Sequence, residues 1–226
     1  MTRMGELEVE GGTVNAYVAE PESGDAPGVA LYHAWWGLND DVKAFADRLA
    51  AAGFHVLAPD MFGGAVATEI EDADRLSSSA EEGGVDAIAL AAIDRLAARP
   101  GAPTAIGAVG FSFGAAYAVW VAGRRDQVAG SVAYYGSVTG PTLARGSAPV
   151  LGHFAADDPY ETDENVAEFE QGLRDAGRDV TIHRYPGTGH WFAEPSRDVY
   201  RPEAADLAFE RTVTFLRDRL GSGTGG

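Results

Sequence analysis

The chain has 226 residues, no cysteine, and 34 acidic against 17 basic side chains, for a formal net charge of −17. That length suits one domain with a full core, expected over residues 1–220, and the missing thiols exclude disulfides, zinc–cysteine sites and thiol catalysis. The charge repels nucleic acid and anionic membranes. No apolar run reaches the length of a membrane span, and the acidic start MTRMGELEVEGG lacks the order of a signal peptide, so a soluble, cytoplasmic protein is expected. Lys43 is the single lysine beside 16 arginines, a balance that fits either a GC-rich genome or a salt-adapted surface.

In chain order, Leu7–Glu10 and Val14–Glu20 read as two short strands around Gly11-Gly12. A Pro/Gly/Ser loop leads to an apolar strand at Gly28–Tyr32, followed by His33-Ala34-Trp35-Trp36-Gly37. Asn39 is suited to cap a helix with Val42, Phe45 and Leu49 on one face and Gly53 just past its end. Phe54–Ala58 is again a strand. Residues 61–84 show no clear period and read as an irregular flap or surface excursion. Val85–Arg99 is helical, with Val85, Ile88, Ala92 and Leu96 on one side. Strands are expected at Val128–Tyr134, Ala148–Phe154 and Val180–Tyr185. Thr162 caps a helix carrying Val166, Phe169 and Leu173, and Pro202 opens a last helix with Phe209, Val213, Leu216 and Leu220 on one face. The tail Gly221–Gly226 is expected to be disordered. Strands alternating with helices imply an α/β protein: a mostly parallel sheet with an antiparallel N-terminal edge and helices on both faces.

The stretch richest in chemistry is Thr104 to Gly123. An apolar strand turns sharply through Gly110-Phe111-Ser112-Phe113-Gly114 and continues as a helix. Strand, tight turn and helix form the context in which G-x-S-x-G marks a nucleophile elbow. The letters alone are weak evidence in a chain with 29 glycines; a glycine-rich turn that happens to hold a serine is the bland alternative. In an elbow, the glycines give room where strand and helix backbones nearly touch. The helix then aims free N–H groups and its positive dipole end at an oxyanion beside Ser112, with the Phe113 N–H as one donor.

A serine hydroxyl needs a base. His55, His153 and His183 fall within strands and read as structural; His33 precedes the elbow. His190 follows the last strand in the glycine-flanked loop PGTGHW, so it is the candidate base. An acid is expected after the strand Ala148–Phe154, where Asp157 and Asp158 both qualify. Asp163 and Glu164 suit the first turn of the next helix, and Asp60 breaks the order serine, acid, histidine.

With those residues in view, the chain resembles the dienelactone hydrolase family of α/β-hydrolases from about Val14 to Leu220. The marks are HAWWGLN at 33–39, APDMFGG at 58–64, GFSFGAA at 110–116, AYYG at 133–136, GHFAADDP at 152–159 and YPGTGHWF at 185–192. The resemblance implies the α/β-hydrolase fold, Asp158 as the acid, His190 as the base and the Trp35 backbone N–H as second oxyanion donor. Well-known members carry Cys where this chain has Ser112, Glu where it has Ala34, and often Arg where it has Glu194. The Glu of those members looks like a switch on a thiol, so losing Cys and Glu together is coherent. Glu194 would oppose a substrate carboxylate.

The expectation is therefore a serine hydrolase of carboxylic esters or lactones, using neither cofactor nor metal and taking a small-molecule substrate. A thioesterase or perhydrolase would use the same groups, and a catalytically silent ligand-binding scaffold is the rival from another class. Trp35, Trp36 and Trp191 are expected either to wall an apolar pocket, together with Ala34 and Glu194, or to be core.

Overall fold

The computed structural model describes residues 1–22, 24–82 and 84–221. Its centre is one eight-stranded sheet of order β1-β2-β4-β3-β5-β6-β7-β8. The strands are β1 Thr2–Val9, β2 Gly12–Ala19, β3 Gly28–Tyr32, β4 His55–Pro59, β5 Ile106–Phe111, β6 Val128–Tyr134, β7 Val150–Ala155 and β8 Val180–Tyr185. β1 and β2 form an antiparallel hairpin, and β2 runs antiparallel to β4. Every pairing from β4 through β8 is parallel.

Helices α1 Asp40–Ala51 and α6 Pro202–Leu220 cover one face; α3 Val85–Ala97 and α4 Phe113–Val121 cover the other; α5 Asp163–Asp175 packs beside β8. The two faces follow from side-chain alternation along the central strands. In β3, Val29 and Leu31 join Phe45 and Leu216 in one cluster, whereas Ala30 and Tyr32 join Ile93 and Ala118 in another. β5 divides in the same way, with Val109 and Phe111 on the first side and Ile106 and Ala108 on the second. Being buried on both faces, these strands read as continuous apolar runs.

Local rules set the helix ends. Asn39 accepts a hydrogen bond from Val42 N, and Thr162 accepts one from Asn165 N, so both cap their helices. Gly53 and Gly177 follow helix ends at φ +98° and +73°, the left-handed region. One element departs from the sequence reading. Residues 61–84 include the helix α2 Ile70–Glu82. Its apolar stripe is thin: Ala73 is buried, Leu76 and Ala80 are partly so, and Ile70 is exposed. Ser77-Ser78-Ser79 further dilute the period. Of the tail expected to be disordered, residues 222–226 lie outside the described residues.

Candidate active site

The parallel strands end at one edge of the sheet, where the loops after β3, β5, β6, β7 and β8 converge. Ser112 joins β5 to α4 at φ +47°, ψ −113°, a conformation that L residues rarely adopt. Close backbone approach enforces it. A Cβ on Gly110 would lie 2.0 Å from Gly114 O, and one on Gly114 would lie 2.3 Å from Tyr32 O and 2.5 Å from His33 O. A Cβ on Gly136, just past β6, would lie 2.4 Å from Ser112 O. Ser112 N donates to Tyr134 O at 2.8 Å. The turn is thus clamped between the ends of β3 and β6, and only glycine fits at the three contacts.

Ser112 Oγ lies 2.9 Å from His190 Nε2, and His190 Nδ1 lies 2.7 Å from Asp158 Oδ2. The second oxygen of Asp158 accepts from Tyr160 N at 2.9 Å and Glu161 N at 3.0 Å. Those amides hold the carboxylate in place. The His190 and Asp158 side chains are 4% and 1% exposed, so their pairing is dry. Asp157, the other candidate acid, is exposed; its N–H donates to Thr188 O and ties the two loops together. Thr188 Oγ1 donates to Tyr185 O, which steadies the approach to His190. Around the imidazole stand Tyr135, Tyr160 and Trp191, with ring centroids 5.1, 5.0 and 4.9 Å away. Trp191 has φ +63° and Tyr135 φ +36°, so the backbone is strained on two sides of His190.

Phe113 opens α4, and Trp35 follows the β3 end against which Gly114 packs, so the loops carrying the two expected oxyanion amides are adjacent. The other histidines are structural. His33 is buried; its Nδ1–H donates to Ala34 O and its Nε2 accepts from Met61 N. Burial pushes its pKa down to about 4, so it stays neutral at physiological pH. His153 bonds Tyr185 and Thr212 and stacks on His183. His55 sits at the start of β4, with burial lowering its pKa to about 4.

The expected pocket residues divide. Trp36 is 2% exposed and packs in the core with Ala34, while Trp35 and Trp191 are partly exposed and stack at 6.0 Å. A cavity of about 410 Å³ opens on Ser112, but none of Ala34, Trp36, Trp191 and Glu194 lines it. Its walls are Phe113, Ala116, Tyr117 and Trp120 of α4, with Ser137, Val138, Glu161 and Asp86. Sequence reasoning missed this wall, although Phe113, Tyr117 and Trp120 at helical spacing were the available signal. Glu194 also differs from expectation. It is buried, its Oε1 accepts from Tyr135 OH at 2.9 Å, and burial raises its pKa to about 8. Burial thus favours its neutral form, which weakens the anticipated repulsion of a substrate carboxylate from this residue.

The sequence matches the dienelactone hydrolase family over residues 14–220. This chain belongs to that family. "Protein usf" of Aquifex pyrophilus is 33% identical over 231 aligned positions, covering 97% of this chain and all of that protein. A relative from Aquifex aeolicus, provisionally named a carboxymethylenebutenolidase, is 30% identical with the same coverage. Among solved structures, a dienelactone hydrolase-like promiscuous phosphotriesterase from metagenomic libraries superposes with a TM-score of 0.84 at 25% identity, covering 98% of this chain and 99% of that one. The chain is thus a dienelactone hydrolase-like hydrolase with the α/β-hydrolase fold. No helix among the described residues is long and apolar enough to cross a membrane.

Proposed function

We propose that this hydrolase cleaves carboxylic esters or lactones through an acyl-enzyme on Ser112. The observation that carries the reading is the unbroken chain Ser112 Oγ, His190, Asp158, at 2.9 and 2.7 Å, with the serine projecting from a strained turn. His190 Nε2 takes the hydroxyl proton as Ser112 Oγ bonds to the ester carbonyl carbon. Asp158 holds the imidazole in the Nδ1–H tautomer and stabilises the imidazolium. The backbone N–H groups of Phe113 and Trp35 receive the oxyanion as it forms. Collapse expels the alkoxide, which takes the proton from His190 and leaves an ester on Ser112. Water, deprotonated by His190, then attacks that ester; the acid departs and Ser112 recovers its proton. Each step needs only these side chains and water.

A fluorophosphonate probe and a panel of chromogenic esters test the assignment. The probe labels Ser112, and Ser112→Ala abolishes both labelling and turnover. Undiminished esterase activity in Ser112→Ala, or no labelling of the native protein, overturns it.

A further inference from the structure

Resting on the reading of Ser112 as nucleophile, the cavity beside it carries a statement about the substrate. It runs along α4, whose residues Phe113, Tyr117 and Trp120 line it. From Ser112 to Trp120 the helix rises about 12 Å at about 1.5 Å per residue, room for an extended arm of roughly six carbons. The two charged side chains that line the cavity, Glu161 and Asp86, are both acidic. Glu161 is oriented rather than loose, since its carboxylate accepts from Ser137 N at 2.9 Å and Ser137 Oγ at 2.7 Å. Arg124 stacks 3.7 Å from the Trp120 ring, donates to Trp120 O and lies near enough to Asp86 to feel its charge, although it does not line the cavity; Glu161 has no such counter-charge paired with it among the described residues. Aromatic faces with carboxylates attract cations and repel anions.

We propose that this cavity binds the acyl arm of the ester and selects arms ending in an ammonium group over arms ending in a carboxylate. The aromatic wall takes the methylene chain, and Glu161 and Asp86 set the sign of charge that the cavity accepts.

The test uses the full chain and three p-nitrophenyl esters with six-atom acyl chains: hexanoate, 5-(trimethylammonio)pentanoate and adipate monoester. In the native protein the ammonium ester exceeds the adipate ester in kcat/KM by at least about tenfold at low salt. That ratio falls at least about threefold in Asp86→Asn and in Glu161→Gln, and stays put in Glu8→Gln, which removes equal charge from an exposed position on β1. A ratio near one in the native protein overturns the proposal, as does an equal fall in Glu8→Gln, which would assign the effect to net charge. Calorimetric binding of the matching methyl ketones reads the same selectivity without turnover. Equal ketone affinities in a protein that labels normally at Ser112 overturn the subsite alone; absent labelling overturns the hydrolase assignment instead.

Discussion

The acidic residues around the site differ in their surroundings: Asp158 pairs with His190, Asp157 faces solvent, and Glu194 is buried against Tyr135. Asp158 receives two backbone N–H groups and faces His190 Nδ1, whereas Asp157, one residue away, is exposed. Asp158→Asn therefore lowers kcat by on the order of a thousandfold or more, by favouring the wrong tautomer and stranding the imidazolium. Asp157→Asn stays within about threefold, as a surface change does. Steady-state kinetics on one chromogenic ester decides between them, and reversed effects would move the acid by one residue. Glu194 makes a different prediction. Burial is the main cause that raises its pKa from the usual 4.5 to about 8, against opposing contributions from the Tyr135 hydrogen bond and Arg197. Between those two values the folded protein binds more protons here than the unfolded chain, so stability falls as pH rises through that window. Glu194→Gln keeps an acceptor for Tyr135 and loses the titration. The melting temperature of the variant, relative to native, climbs from pH 4.5 to pH 8 and levels above it; parallel curves would contradict the account.

At the scale of elements, the elbow is held by neighbours that are remote in sequence. The end of β3 presses on Gly114 and the segment after β6 presses on Ser112 through Gly136. In Gly136→Ala the new Cβ would meet Ser112 O at 2.4 Å and Ala115 Cβ at 2.8 Å, so the nucleophile's backbone must shift. A displacement of that kind costs about 100-fold in kcat, with a stability loss of about 1–3 kcal/mol. Fluorophosphonate labelling rate and thermal melting measure the two effects separately, and native labelling would show the contact to be slack. The elements themselves were mostly legible from sequence. Asn39, Thr162, Gly53 and Gly177 carry local cap chemistry, and the central strands are apolar runs of strand length. The helix α2 escaped because alanines and one leucine, interrupted by three serines, make too faint a stripe to stand out from a loop.

Across the whole molecule, what the sequence revealed of the site was chain order, and what it concealed was depth. Ser112, Asp158 and His190 each follow a strand of the parallel sheet, so topology alone brings them to one edge. Which side chains line the space beside them depends on tertiary packing. Trp36 and Glu194, close to those motifs in sequence, sink into the interior, while Trp120 reaches the cavity from α4 and Glu161 from the loop between β7 and α5. Residue spacing alone leaves Asp157 and Asp158 both open and the family resemblance favours Asp158, whose carboxylate meets His190 Nδ1 and the amides of Tyr160 and Glu161. The central claim is that ester cleavage passes through a covalent acyl group on Ser112. Rapid mixing with p-nitrophenyl acetate, followed by acid quench and peptide mass spectrometry, tests it most directly. The account predicts a burst of nitrophenol close to one equivalent per chain and an acetyl group on the peptide bearing Ser112. Linear release without a burst, from a protein whose Ser112 stays unmodified while Ser112→Ala still turns over, would contradict it.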